Sequence, residues 1–162
     1  MGGHPYWYWT KYQTDVKTTL EDLRQREFMA GRYNPVMPFI EFPITDDSSS
    51  PGANHGSIDE ALEASEADGT RSILDISEVS NLPYEEALDR STQGEVDLYC
   101  TTFPFSKAEL IDLFGTDRPD RQMVESAINE LCENLDRGIA KHIIIYDRDR
   151  PIEVFFIGCS FD

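Results

Sequence analysis

Residues 140–161 read AKHIIIYDRDRPIEVFFIGCSF, the most apolar part of the C-terminal half of the chain. Two runs rich in Ile, Val and Phe flank the polar segment DRDR at 147–150, a pattern typical of two strands joined by a turn. Both runs are apolar at successive positions, so each strand is expected to be covered on both faces. The sequence therefore predicts a C-terminal β-hairpin over 140–146 and 151–161, in the centre of a sheet.

A second aromatic strand is predicted at the N-terminus, where residues 5–12 read PYWYWTKY. Alternation puts Tyr6, Tyr8 and Tyr12 on one face and Trp7 and Trp9 on the other. Since both faces are aromatic, we expect this strand in the sheet centre too, unless a second copy of the chain covers its other face. A homodimer is therefore one partner prediction. The aromatic cluster favours core packing, with a ligand platform as the alternative.

Helices and further strands are predicted between these two ends. We expect helices from a Thr14 cap to Ala30, over 58–68 and 107–114 behind capping boxes, over 83–90, and over 119–137. Strands are expected over 71–76 and 95–103, and an extended edge segment over 32–43, where three prolines forbid a helix. The predicted fold class is α+β, a single domain over 1–162 with a mixed sheet and packed helices.

The negative charge of the chain is concentrated in its middle third. Residues 41–97 carry two basic and fifteen acidic side chains, so this segment holds −13 of the net charge of −17. Within it, residues 45–56 (TDDSSSPGANHG) are small, polar and turn-rich, which predicts a flexible loop. Such a field repels phosphates, so nucleic acid is not an expected partner.

Membrane, metal and cofactor signals are not found in the sequence. No apolar run approaches the length of a membrane span, and no signal peptide is recognised, so we expect a cytoplasmic protein without a membrane partner. The three cysteines are widely spaced, which favours buried free thiols over disulfides or zinc. Phosphate-loop, metalloprotease and hydrolase-elbow motifs are also missing, so neither a cofactor nor a catalytic residue is predicted.

One carboxylate lies where an apolar side chain is expected. Glu27 falls in the helical stripe of apolar residues, and burying a carboxylate there is costly unless it is paired. The favoured interpretation is structural: Glu27 pairs with an arginine or holds the 32–35 segment. The alternative is a polar pocket lined by Glu27, Arg24, Arg32 and Tyr33, in which a raised pKa would make Glu27 a general acid or base.

The leading functional hypothesis uses the acidic segment. We expect a non-enzymatic binding or regulatory protein that docks on a basic partner protein, as an inhibitor or antidote would. The residues expected to contact that partner are all acidic: Asp46, Asp47, Asp59, Glu60, Glu63 and Glu66. A plain solvated surface is the alternative for these residues. A small enzyme or ligand-binding domain at Glu27, and a homodimeric structural protein, are the alternative functions.

Overall fold

The computed structural model describes residues 3–92 and 98–162. Within this part of the chain, five strands form one mixed sheet: β1 (Pro5–Lys11), β2 (Glu78–Val79), β3 (Thr101–Pro104), β4 (Ala140–Asp147) and β5 (Arg150–Cys159). Their order across the sheet is β1-β5-β4-β3-β2. Strands β2, β3 and β4 are parallel, and β5 is antiparallel to its neighbours β4 and β1. The predicted α+β class, with the N-terminal strand and C-terminal hairpin in the sheet, is confirmed.

The described residues also form six α-helices: α1 (Val16–Ala30), α2 (Ile58–Ser65), α3 (Tyr84–Ser91), α4 (Lys107–Phe114), α5 (Arg121–Glu125) and α6 (Ile128–Glu133). Two 3₁₀ turns lie at Glu66–Asp68 and Ile73–Asp75. Among these helices we find none with the length and apolar character that a membrane span requires.

Helices cover both faces of the sheet. On one face, Tyr8 and Phe156 pack against Leu23 of α1, and we call this the α1 face. On the other, Phe155 packs in one cluster with Val124 of α5, and we call this the α5 face. Successive residues of a strand point to opposite faces of the sheet. Because β4 and β5 are apolar at successive positions, they contribute side chains to the apolar clusters on both faces.

The hairpin lies in the middle of the sheet as predicted, but β1 does not. β1 pairs with β5 on one side and with no other strand of the described residues, so its predicted central position is wrong. Its tryptophan face is covered by the same chain. The ring of Trp7 lies 5.0 Å from that of Phe42, between ring centroids, and the guanidinium of Arg121 of α5 lies over the Trp9 ring, 4.5 Å from its centroid. The homodimer stays a prediction.

Helix α1 has well-defined ends. Asp15, rather than the predicted Thr14, caps it, because the Asp15 carboxylate accepts a hydrogen bond from the Thr18 amide at 2.7 Å. Gly31 ends it as predicted, in a left-handed conformation with φ of 75°. This turn sends the chain back toward the helix, where the Arg32 amide donates to the Glu27 carbonyl at 3.1 Å.

The predicted strand over 71–76 is wrong, because its centre forms the 3₁₀ turn Ile73–Asp75. The Ser72 hydroxyl accepts from the Leu74 amide at 3.3 Å, and Asp75 accepts from the Thr70 amide at 2.8 Å. Ser and Asp side chains that bond the local backbone favour turns over strands.

The predicted helix over 119–137 is also wrong as one element. It is divided into α5 and α6, with Ala127 between them at φ −105° and ψ 0°, and Asp120 rather than Pro119 lies at its start. Val124 and Leu131 both remain buried against the sheet. The spacing of the apolar residues is the same in one continuous helix as in two shorter helices, so it does not indicate the break at Ala127.

Two other segments differ from the predictions. Residues 32–43 form no strand, and cis peptide bonds precede Pro35 and Pro43. The strand predicted over 95–103 begins only at Thr101, and its residues 95–97 lie outside the described part of the chain. Of the cysteines, Cys100 is exposed and not buried as expected.

Candidate functional site

A cleft of about 360 Å³ lies where α1, the free edge of β1 and the 44–50 segment meet. Strand β1 contributes Trp7, Tyr8 and Trp9, and α1 contributes Leu23, Arg26 and Glu27. The remaining wall is Arg32, together with Ile44, Thr45, Asp46 and Ser50. We call this the Glu27 cleft. Its volume falls within the range of small-ligand sites.

An ion pair forms the innermost charged group of the cleft. Glu27 is only 3% exposed, and its carboxylate accepts a hydrogen bond from Nε of Arg32. Arg32 also donates through Nη1 to the Ser50 hydroxyl at 2.6 Å, so it ties the loop to the end of α1. The pair satisfies a carboxylate that the helical pattern placed among apolar residues.

A second arginine, which the sequence analysis did not assign to the site, lines the same cleft. Arg26 donates through Nη2 to the Thr10 hydroxyl of β1 and through Nε to Asp22 at 3.0 Å. The spacing of Asp22 and Arg26, four residues apart on α1, is the signal for that ion pair. Nothing local in the sequence indicates that Arg26 reaches β1.

The other two residues predicted for the pocket lie elsewhere. Arg24 donates through Nη2 to the Leu74 carbonyl at 2.9 Å, and burial lowers the pKa of its guanidinium. Tyr33 is fully buried, and its hydroxyl accepts from the Asn54 amide at 3.1 Å and bonds Nδ1 of His55 at 2.8 Å. Tyr33 therefore anchors the 45–56 segment, whose flexibility stays a prediction.

The charges that line the cleft balance. Its lining carries two cationic side chains, Arg26 and Arg32, and two carboxylates, Glu27 and Asp46, in a protein whose net charge is −17. The phenol of Tyr8 stays protonated, because burial first and the nearby Glu27 second raise its pKa. The site thus presents donors and acceptors without excess charge, which suits a polar ligand of no net charge.

The residues predicted to contact a basic partner are divided. Asp46 lines the Glu27 cleft, and Asp47 is exposed on the same loop. The other four, Asp59, Glu60, Glu63 and Glu66, are exposed on α2 or directly after it. Helix α2 packs through Ala61 beside Phe28 of α1, so these four lie on the α1 side of the sheet.

The acids of α3 do not join them in one patch. Helix α3, which carries three exposed carboxylates, packs through Ala87 on Phe103. In the sheet, Phe103 is paired with Lys141 of β4, and Lys141 is paired with Ile157 of β5. Because paired residues point to the same face and Ile157 belongs to the cluster on the α5 face, the Phe103 side chain also points to the α5 face. The acidic segment therefore reaches both sides of the sheet.

No group of three or more metal-ligating side chains converges in residues 3–92 and 98–162.

His142 is buried near a separate crevice, with Nδ1 at 3.0 Å from the Thr102 hydroxyl. Burial lowers its pKa to about 3, so it is neutral at physiological pH.

Comparisons with protein-family models, curated proteins and solved structures each found no match to this chain.

Proposed function

We propose that this chain is a ligand-binding protein, without catalytic activity, that takes a polar ligand of no net charge into the Glu27 cleft. The observation that carries this proposal is the buried Glu27–Arg32 pair in the wall of a cleft of about 360 Å³. A buried ion pair is a poor way to gain stability, because the desolvation of both charges offsets their attraction. Placed on a cleft wall, however, the pair presents charged groups in a fixed geometry to a ligand.

The hydrogen bonds in the cleft favour binding over catalysis. Ser50, a hydroxyl that could serve as a nucleophile, accepts from Arg32, which cannot act as a base. Glu27 is held by the same arginine, and Tyr8 stays protonated. These groups are suited to fixing the orientation of a ligand.

Ligand-observed NMR with a library of uncharged and zwitterionic polar fragments tests this proposal. The matched variants are Thr45→Trp, which fills the cleft from its loop wall, and Ala64→Trp, at an exposed position of α2. We expect fragments that bind the wild type and Ala64→Trp but lose at least tenfold in affinity to Thr45→Trp. Equal binding to all three proteins, or no binding fragment, would contradict the proposal.

We propose, as a second candidate, that the acidic side chains of α2 and the turn after it bind a basic partner protein in the cytoplasm. Five exposed carboxylates within residues 59–68 support it. Capture of partners from cell extract at low and high salt tests it, since surface ion pairs weaken with ionic strength. A partner set unchanged by salt would count against this candidate.

A further inference from the structure

The free edge of β1 forms one wall of the Glu27 cleft. Trp7, Tyr8 and Trp9 are consecutive, and their side chains alternate between the two faces of the sheet. A cleft that touches all three must therefore run along the edge of the strand.

The hydrogen bonds to β5 show which peptide groups point into this edge. Beyond the two ends of β1, the Tyr12 amide donates to the Ile152 carbonyl and the Ser160 amide donates to the His4 carbonyl, both at 3.0 Å. In an antiparallel pair, residues whose N–H and C=O face the partner strand alternate with residues whose groups face away. Since positions 4 and 12 face β5, the even-numbered residues of β1 face β5 and the odd-numbered ones face outward.

The outward groups in the cleft are thus the N–H and C=O of Trp7 and Trp9. No hydrogen bond from the rest of the described chain reaches them on that side. Both residues are half-buried, and a peptide group kept from partners in such a place is costly unless water or a ligand satisfies it. Strand edges of this kind bind extended peptides by adding a strand.

The walls of the cleft restrict what can pair there. Phe42 lies across part of the edge, because its ring contacts both Trp7 and Tyr8. Ile44 and Thr45 border the rest, so a ligand reaches the edge through a groove and not along a flat strand. A second copy would have to bring its own β1, which carries large aromatic side chains and the same walls. An extended peptide needs only about 7 Å of backbone to reach from Trp7 to Trp9, which is two residue steps.

We propose that the ligand of the Glu27 cleft is an extended peptide segment of another protein, which adds to the edge of β1. Its backbone exchanges hydrogen bonds with Trp7 and Trp9, and its side chains in the cleft are small or polar. The balanced charges of Arg26, Arg32, Glu27 and Asp46 favour a segment without net charge there. This inference depends on the proposed ligand-binding function and names the class of ligand.

Peptides selected from a phage-displayed library of random linear sequences provide the probe. With a synthetic copy of the tightest binder, amide hydrogen exchange followed by NMR should slow at least tenfold at Trp7 and Trp9. Tyr6 and Tyr8, whose amides already face β5, should change little. N-methylation of those peptide amides that pair with β1 should cost at least tenfold in affinity, and N-methylation of the intervening amides much less.

A pair of variants separates the backbone donor from the side chain. Trp9→Pro and Trp9→Val both lose the indole, but only the proline variant loses the outward N–H, and prolines are tolerated at such edge positions. We expect the proline variant to bind the peptide at least fivefold more weakly than the valine variant. If Trp9→Pro does not fold, the N-methylated peptides still decide the question.

The experiments distinguish a failure of this inference from a failure of the proposed function. If polar fragments bind the cleft but no selected peptide does, or if a peptide binds without protecting Trp7 and Trp9, this inference is wrong and the proposed function stands. If neither fragments nor peptides respond to Thr45→Trp, both are wrong.

Discussion

Breaking the Glu27–Arg32 pair by Glu27→Gln should destabilise the protein. The substitution keeps the shape of the side chain and removes its charge, which leaves the Arg32 guanidinium, 14% exposed, without a counter-ion. Loss of one partner of a fully buried pair costs roughly 3–5 kcal/mol. Because Arg32 keeps its bond to Ser50 and a partial contact with solvent, we expect about 2–3 kcal/mol in the free energy of unfolding.

Urea denaturation followed by circular dichroism measures this change. A double-mutant cycle, which also includes Arg32→Gln and the Glu27→Gln/Arg32→Gln double variant, isolates the interaction energy of the pair. We expect the double variant to cost less than the sum of the two single variants by at least about 1 kcal/mol. Glu21→Gln, at an exposed position of the same helix, is the control and should change the free energy of unfolding by less than about 0.5 kcal/mol.

A loss of stability for Glu27→Gln no larger than that for Glu21→Gln, or an additive cycle, would contradict this prediction. Either result would mean that solvent in the cleft already screens the pair, so that it holds neither the loop nor the geometry of the site.

Further measurements check other parts of the structure. His142 has a pKa of about 3 when folded and about 6.5 when unfolded, so the unfolded state binds more protons between these values. Its contribution to stability should therefore fall as pH drops through that window, by several kcal/mol in all, and urea titrations should show a shallower loss for His142→Gln. Gly158→Ala should lower the free energy of unfolding by roughly 1–3 kcal/mol, because the added methyl group would overlap the ring of Tyr6. An unchanged midpoint of urea denaturation would refute this. Iodoacetamide should label the exposed Cys100 well before Cys132 and Cys159, whose thiol pKa values burial raises, and mass spectrometry after short exposure would show a contrary order.

Local signals in the sequence predicted local structure well. The Ser106–Glu109 capping box is present as predicted, because each of its two hydrogen bonds joins residues three apart. The stop at Gly31 is equally local, since only the φ of that residue is involved. Where prediction failed locally, at residues 71–76, the Ser72 and Asp75 side chains were a signal for a turn that the apolar pattern concealed.

The candidate site was predictable only in part. Glu27 was identifiable because a carboxylate in an apolar stripe needs a partner, and Arg32 was one of the candidates near it in sequence. Arg24 and Tyr33 were equally near in sequence, yet they point to Leu74 and to the 45–56 segment. Distance along a chain that turns at Gly31 does not determine which side chains meet.

The α+β class, the hairpin and the need of Glu27 for a partner were predictable from the chain alone, since periodicity, caps and the cost of a buried charge act over a few residues. The position of β1 at the sheet edge, and the placement of the acidic helices α2 and α3 on opposite sides, are evident only in the folded molecule. Strand order depends on pairing between residues far apart in sequence, and an aromatic strand has the same pattern at an edge or in the centre. That order also leaves the outward peptide groups of Trp7 and Trp9 without a partner among residues 3–92 and 98–162, which the pattern of side chains does not indicate.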